Sequence, residues 1–271
     1  EQVRYAVVWT PPQGWLARFD NLQCIVSIGA GIDHVLADTA LPAGIPVIRT
    51  TGADLTQRMR EYVCLQVLAQ HRQLPQHRRS QSEKSWQPVI TAPAHEVTVG
   101  VMGLGKLGSA AALSLSQLGY RLIGWARQQH HLDGVRCYAQ PHLREFLSQV
   151  QFLVCLLPLT SDTENILNQS LFNQLPAGAG IINVARGQHV VEDDLLNALD
   201  TGQISHATLD VFRAEPLPAD HAFWTHSGIT ITPHVASMID PESGGKEIAR
   251  NLTAFIAGKP VADLTDPQRG Y

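Results

Sequence analysis

The chain has 271 residues, 44% hydrophobic and 16% charged, with a formal net charge of −4. That length and apolar fraction fit one large or two modest α/β domains with a sizeable core, and the charge gives no electrostatic case for nucleic acid. No apolar run reaches the ~18 residues that a membrane helix needs, and the start, Glu1-Gln2-Val3-Arg4, has no signal-peptide pattern.

The four cysteines, Cys24, Cys64, Cys137 and Cys155, stand singly and mostly in apolar runs. They read as buried reduced thiols of a cytoplasmic protein rather than as a disulfide framework or a metal site. The histidines His71, His77, His130 and His131 lie in polar segments and lack ligand spacing.

In chain order, residues 5–9 read as a strand that Pro11-Pro12 breaks, residues 15–19 as a short helix, and residues 24–28 as a second strand. That strand ends in Gly29-Ala30-Gly31-Ile32-Asp33. A glycine-flanked loop in this position is either an anion-binding nest of backbone N–H groups or a plain turn. Residues 45–49 form a third strand, and residues 55–72 form a helix ended by Pro75. Tyr62, Val63, Leu65, Val67 and Leu68 make that helix apolar over much of its circumference, which predicts burial between two bodies. Residues 76–96 are polar and Pro-bearing, a route between domains. Trp86 within it is an exposed anchor at a subunit contact or a local core residue.

The stretch Val97-Thr98-Val99-Gly100-Val101-Met102-Gly103-Leu104-Gly105-Lys106-Leu107-Gly108 organises the rest. It is an apolar strand over 97–102 entering a G-x-G-x-x-G turn that opens a helix; Gly119 stops the helix, and a strand follows over 121–125. Gly103 allows the tight turn, Gly105 lets backbone approach a pyrophosphate, and Gly108 lets helix and strand pack closely. The helix N-terminus offers free N–H groups and positive potential to phosphate. An NAD site places an acid at the end of the second strand to hold the ribose hydroxyls. Here that strand ends Gly124-Trp125-Ala126-Arg127-Gln128, with no acid between Tyr120 and Leu132. Arg127 is either solvated or the partner of a 2′-phosphate, and the missing acid favours the second reading and NADP(H).

The alternation continues: helix 143–150, strand 152–157, helix 163–175, strand 180–185, helix 191–199, and strands 207–211 and 229–232. Strands separated by helices imply a parallel, doubly wound α/β sheet. In the last helix Asp240 can cap, Pro241 can take the first turn, and Ile248, Leu252, Phe255 and Ile256 give one apolar face; Gly258 closes it.

Ligands of such sheets sit at the carboxyl ends of the strands. Arg186, Glu215 and His234 fall there. An Arg can clamp a carboxylate and polarise a neighbouring carbonyl. A His beside a Glu has its protonated form favoured and can deliver a proton as hydride reaches a carbonyl carbon. Singly, each also reads as an ordinary ion pair, surface acid or loop histidine.

Together these motifs resemble the D-2-hydroxyacid dehydrogenase family along nearly the whole chain. The residues that carry the resemblance include Ser27-Ile28-Gly29-Ala30-Gly31-Ile32-Asp33, Gly100-Val101-Met102-Gly103, Leu156-Leu157-Pro158-Leu159-Thr160 and Asn183-Val184-Ala185-Arg186-Gly187. They continue through Val190-Val191-Glu192-Asp193-Asp194-Leu195-Leu196, Leu209-Asp210-Val211-Phe212, Glu215-Pro216-Leu217-Pro218, Ile231-Thr232-Pro233-His234-Val235-Ala236 and Arg269-Gly270-Tyr271. The resemblance implies that Arg186 binds and polarises a 2-oxo acid, that His234 is the acid/base, and that Glu215 orients His234. It implies that the Ala30 and Gly31 amides hold the substrate carboxylate. It places Leu157, Pro158, Thr163, Ala185, Asp210, His234 and Ala236 along the cofactor beside Gly103, Leu104, Gly105, Lys106, Leu107 and Gly108, and it matches Arg127 to the NADPH-preferring members.

The implied fold is two doubly wound, Rossmann-like parallel-sheet domains with the active site in the cleft between them. Residues 1–93 and 238–271 would form the substrate-binding domain and residues 94–237 the dinucleotide-binding domain. Members normally carry another strand-helix unit before Tyr5, so the expectation here is a chain truncated at its N-terminus. The implied activity is NADPH-dependent reduction of short 2-oxo acids by a homodimer. The alternatives are an NAD(P)-dependent dehydrogenase for a different D-2-hydroxy acid and a dinucleotide-sensing corepressor or scaffold of the same fold. An intact Arg–Glu–His set favours an enzyme.

Overall fold

The computed structural model describes residues 2–42, 44–261 and 263–265. The Arg269-Gly270-Tyr271 motif lies outside the described residues. In chain order the elements are β1 (Tyr5–Val8), β2 (Cys24–Ser27), α1 (Asp33–Leu36), β3 (Val47–Arg49), α2 (Ala53–His71), α3 (Leu74–Ser82), β4 (Thr98–Met102), α4 (Lys106–Gln117), β5 (Arg121–Trp125) and β6 (Arg136–Tyr138). They continue with α5 (Leu143–Leu147), β7 (Phe152–Cys155), α6 (Gln169–Phe172), β8 (Ala179–Asn183), α7 (Glu192–Asp200), β9 (Ile204–Leu209), β10 (Ile229–Ile231), α8 (Pro241–Ile256) and β11 (Leu264–Thr265). Two compact units result: Glu1–Gln57 with Met238–Tyr271, and Arg58–Ser237.

The smaller unit has a four-stranded sheet in the order β1-β2-β3-β11, with β1, β2 and β3 parallel and β11 antiparallel to β3. Ala6, Val8, Ile25 and Val47 face one apolar cluster, and Cys24, Val26 and Ile48 meet Ile248, Leu252 and Phe255 of α8 on the other. The α8 face thus matches expectation at 248, 252 and 255, but Ile256 is exposed. Asp240 caps α8, accepting the N–H groups of Glu242 and Ser243. The short strand β11 went unread because two residues give no period to detect.

The larger unit has a seven-stranded, all-parallel sheet in the order β10-β9-β8-β7-β4-β5-β6. From β4 the chain runs out through β5 to β6, then returns to β7 on the other side of β4. The switch point therefore lies between the carboxyl ends of β4 and β7, the usual place for a ligand. Alternate strand residues feed two cores. Val99, Val101, Val154 and Ile182 pack with Ala111, Ala112 and Leu115 of α4 and with Met59, Val63 and Val67 of α2. Met102, Leu153, Cys155 and Ile181 pack with Phe146, Leu147, Leu171, Phe172 and Leu195 on the opposite face.

Those α2 contacts explain a difference in domain limits. The sequence reading carried the first domain to residue 93, whereas the structure groups Arg58 onward with the larger unit. Met59, Val63 and Val67 form one stripe at i, i+4, i+8 that belongs to the core of the larger sheet. Leu65 and Leu68 are exposed while Gln66, Gln70 and His71 are buried, so α2 buries one face only, and that face is not purely apolar.

Pro75 does not end α2. Gln73 breaks the chain at φ +56°, and Pro75 sits in the first turn of α3, where its missing N–H costs nothing. The segment read as a polar route over 76–96 therefore begins as helix. Its far end is anchored by His71, which is buried and bonded to the Tyr120 hydroxyl (2.7 Å) and the Ala92 carbonyl oxygen (2.8 Å). Trp86 is 97% exposed and is no part of a core.

Other boundaries shifted for local reasons. The helix expected over 15–19 is one 3-10 turn, Leu16–Arg18, and the loop after β2 leads into α1 at Asp33. The helix expected over 143–150 ends at Leu147. Of the helix expected over 163–175, only Gln169–Phe172 forms, capped by Asn168. Thr163 instead donates its hydroxyl to the Pro158 carbonyl oxygen (2.6 Å) and accepts the Thr160 N–H, Asn165 has φ +57°, and Leu167 bridges to Val190. Such side-chain bonds offer the backbone an alternative to helix. Strand β6 went unread, and its Tyr138 carbonyl oxygen receives the Ala126 N–H just past β5.

All four cysteines are free thiols, and burial pushes Cys24 to about 11 and Cys155 to about 12. Among the described residues no helix is long and apolar enough to cross a membrane.

A buried histidine sets an acid limit on stability. His206 on β9 is 8% exposed and bonds Thr230 on β10 at 2.8 Å. Burial lowers it to about 4, with further repulsion from Arg79 and His226. Its folded value lies below the unfolded one, so its contribution is complete above the ordinary 6.5 and is lost as pH falls toward about 4. The gap corresponds to roughly 3 kcal/mol. The Tm should fall over this range, and the His206→Gln variant should flatten that limb in a thermal melt series.

Candidate active site

The glycine turn has the geometry its spacing predicts. Gly103 has φ +97°, and a Cβ there would lie 2.5 Å from the Leu156 carbonyl oxygen past β7. A Cβ on Gly108 would lie 1.8 Å from the Gly103 carbonyl oxygen. No side chain is tolerated at either place without moving backbone. At Gly105 a Cβ would meet nothing within 4 Å, so the turn is open where a phosphate would approach. Gly105 also caps the twelve-residue helix α4, whose first amides and dipole favour an anion. The turn thus fits a dinucleotide pyrophosphate.

Gly103 donates its N–H to the Trp125 carbonyl oxygen (2.9 Å), which ties the turn to the end of β5. Exposed Arg127 follows two residues later. Leu104 lies over Gly124, where a Cβ would be 2.7 Å from its Cδ1, so Leu104 is held by packing. Lys106 and Leu107 form the first turn of α4.

The remaining lining candidates all follow strand ends: Leu157 and Pro158 after β7, with Thr163 bonded back to Pro158; Ala185 after β8; Asp210 after β9; His234 and Ala236 after β10. The parallel sheet puts these ends on one edge.

Arg186 stands at the end of β8 in a loop bonded from several sides. Asn183 Oδ1 accepts the Ala185 N–H (3.1 Å), and its amide donates to the Arg186 carbonyl oxygen (2.9 Å). The Arg186 N–H donates to Nδ1 of fully buried His189 (3.2 Å), whose Nε2 lies 3.3 Å from the Pro158 carbonyl oxygen. Gly187 is jammed against the next loop: a Cβ would be 1.9 Å from the Phe212 carbonyl carbon.

His234 Nδ1 and Glu215 Oε2 are 2.7 Å apart, and Glu215 Oε1 accepts the Phe212 N–H (2.9 Å). Burial works to raise the Glu215 carboxyl, but the bonds from His234 and Phe212 and the positive charges of His234 and Arg186 outweigh it and hold the group below its ordinary value. An ionised Glu215 accepts the Nδ1 proton, which leaves His234 Nε2 to exchange a proton with a ligand.

The turn bearing His234 is strained, with φ +54°. Asp210 holds it. Its carbonyl oxygen accepts the His234 N–H (2.8 Å), and its carboxylate accepts the Thr232 hydroxyl (2.5 Å) and the Val235 (2.9 Å) and Ala236 (2.8 Å) N–H groups. Burial raises the Asp210 carboxyl against the pull of these bonds. Tyr62 of α2 joins the network through Thr232 (2.5 Å), and burial raises its hydroxyl too.

In the smaller unit, Ser27 shapes the loop after β2: its hydroxyl accepts the Gly29 N–H and donates to the Gly31 carbonyl oxygen, both at 3.3 Å. Among the described residues the Ala30 and Gly31 N–H groups have no internal partner, which is the arrangement of an anion nest.

Sequence reasoning passed over Asn183, His189, Thr232 and Tyr62. The available signal was a buried polar residue inside or just after an apolar strand, such as Asn183 at the end of Ala179–Asn183.

The chain is similar to known proteins of one family. The family model described as D-isomer specific 2-hydroxyacid dehydrogenase, NAD binding domain, matches residues 64–236. The protein named glyoxylate/hydroxypyruvate reductase A of Yersinia enterocolitica serotype O:8 is 42% identical over 273 residues, covering 98% of this chain and 87% of that one. A D-isomer specific 2-hydroxyacid dehydrogenase from Xanthobacter autotrophicus Py2, solved with NADPH and MES, superposes with a TM-score of 0.95 at 42% identity, covering 100% of this chain and 86% of that one. The NADPH-dependent glyoxylate/hydroxypyruvate reductase of Sinorhizobium meliloti, solved with NADP and sulfate, gives 0.95 at 37% identity over 99% and 86%. With the glycine turn, the Arg186 loop and the Glu215–His234 pair in place, the chain belongs to the D-isomer specific 2-hydroxyacid dehydrogenase family.

Proposed function

We propose that this protein is an NADPH-dependent reductase of short 2-oxo acids, converting glyoxylate to glycolate and hydroxypyruvate to D-glycerate. The observation that carries the reading is the Glu215–His234 pair, 2.7 Å apart and close enough to Arg186 for its charge to act on Glu215. NADPH supplies the hydride when bound. Arg186 binds the oxo acid and polarises its carbonyl, and His234 gives the carbonyl oxygen its proton from Nε2. Glu215 keeps the Nδ1 proton in place and stabilises the cation before transfer. Ala30 and Gly31 are the proposed partners of the substrate carboxylate. Gly103, Leu104, Gly105, Lys106, Leu107, Gly108 and Arg127 are those of the nucleotide, with Leu157, Pro158, Thr163, Ala185, Asp210 and Ala236 lining the remainder. The exposed Trp86 and Ile90 support a second copy of the chain as partner, and the free thiols support a reducing, cytoplasmic location.

The test is steady-state reduction of glyoxylate and of hydroxypyruvate with NADPH and NADH in parallel. Turnover with NADPH preferred is the expected result. The Arg127→Ala variant should lose about ten- to a hundredfold of that preference, the worth of a charge-assisted phosphate contact, with little change toward NADH. An unchanged preference in that variant would remove Arg127 as the phosphate partner. Nucleotide binding without turnover of either oxo acid would favour the sensing role.

A further inference from the structure

Arg213 takes no part in the chemistry described above, yet from its own loop beside Glu215 its side chain meets two more of the loops that carry it. Its Nε donates to the Val190 carbonyl oxygen at 2.8 Å, and Nη2 donates to the Gln188 carbonyl oxygen at 3.3 Å. Both acceptors belong to the loop that begins at Arg186. Nη2 also donates to Asn165 Oδ1, in the segment that continues from Pro158 and Thr163. Arg213 itself lies between Phe212, which donates its N–H to Glu215, and Glu215. Its backbone nitrogen is one of the atoms against which Gly187 is pressed: a Cβ on Gly187 would be 2.3 Å away.

One guanidinium thus joins the loops at the ends of β7, β8 and β9. The segments it joins already touch: the Asn165 N–H donates to the Gln188 carbonyl oxygen (2.9 Å) and the Leu167 N–H to that of His189 (2.9 Å). A planar fork with five donors suits this task, because it can satisfy several carbonyl oxygens at fixed angles where an ammonium cannot.

We propose that Arg213 is a positioning residue that locks the Arg186 loop to the Glu215 loop, fixing the group that polarises the 2-oxo acid against the group that protonates it. The inference rests on the reductase reading. The requirement is geometric: a reacting pair displaced by about 1 Å loses on the order of a hundredfold in rate. Arg213 lies beside a surface depression lined by Asn165, Val191, Glu192 and Asp193, so a small cation from solvent can reach the place its guanidinium would leave.

The experiment compares Arg213→Ala, Arg213→Lys and the parent protein by steady-state kinetics, guanidinium rescue, thermal melting and hydrogen exchange of the peptide covering 186–190. Expected are a drop of about ten- to a hundredfold in kcat/KM for glyoxylate in Arg213→Ala, and a smaller drop in Arg213→Lys. KM for the oxo acid should rise, KM for NADPH should stay within about twofold, and millimolar guanidinium should restore part of the rate. Exchange over 186–190 should quicken at least about tenfold with the melting temperature nearly unchanged. Parent-like kinetics in Arg213→Ala, or parent-like exchange over 186–190, would overturn the proposal. So would a rate loss that follows a lowered melting temperature and is not rescued by guanidinium. A parent protein without turnover would instead count against the reductase reading, while the exchange data would still decide whether Arg213 fixes the loop.

Discussion

Replacing His234 with Ala should lower kcat for glyoxylate reduction by about 10²–10⁴-fold while NADPH still binds, which is the range a positioned proton donor contributes. The Nδ1–Oε2 distance of 2.7 Å fixes the ring, and the Glu215 carboxyl, held below its ordinary value, is ionised throughout the neutral range. Its depressed folded value means that the pairing contributes above the ordinary 4.5 and is lost as pH falls through the lower folded value, so it is intact at assay pH. His234 sits at φ +54°, a conformation that costs roughly 1–3 kcal/mol outside glycine. A second variant, His234→Asn, separates chemistry from folding, because Asn tolerates that backbone region and cannot serve as the donor. Both variants should melt near the parent temperature and both should show the same loss of about 10²–10⁴-fold in kcat. Full turnover in either folded variant would remove His234 as the donor and, with it, the mechanism.

Much of this arrangement was legible in the sequence because the features concerned are local. The glycine spacing encodes positions where a Cβ would strike backbone, at Gly103 and Gly108, and such restrictions survive any tertiary context. The strands of the larger sheet are apolar because both faces are covered, so β4, β7 and β8 stood out as continuous runs. What failed to show were features decided by distant partners. Residues 163–168 were expected to begin a helix, but Thr163 and Asn168 spend their side chains on nearby backbone, and Leu167 pairs with Val190. The domain limit moved because the Met59, Val63 and Val67 stripe does not announce which sheet it packs on. Arg186, Glu215 and His234 were readable as polar residues past strand ends, but the role of Asp210 in holding the His234 turn needs β9 and β10 to be neighbours. That is a property of strand order, not of any local pattern.

Arg186→Lys should cost about 10²–10³-fold in kcat/KM for glyoxylate, comparable to removing a donor that stabilises developing charge on an oxygen. Charge is conserved in this substitution, so the loss isolates geometry. A guanidinium can bond a carboxylate and an adjacent carbonyl with two parallel N–H groups, whereas an ammonium offers a single point. The loop cannot move to compensate. Asn183 and His189 bond its backbone, and Gly187 is pressed on the Phe212 carbonyl carbon with no room for even a methyl group. A Lys ammonium at 186 must therefore reach the substrate from a fixed backbone position, and it gives up the Nη1 contact to the Ala185 carbonyl oxygen (2.7 Å) that steadies the present side chain. The loss should appear as a raised KM for the oxo acid together with a lowered kcat, because the same contacts bind the ground state and stabilise the alkoxide forming in the transition state. NADPH affinity, read by fluorescence titration, should stay near the parent value. A Lys variant within about twofold of the parent in both constants would mean that charge alone suffices at this position, and the polarising role would pass to another donor.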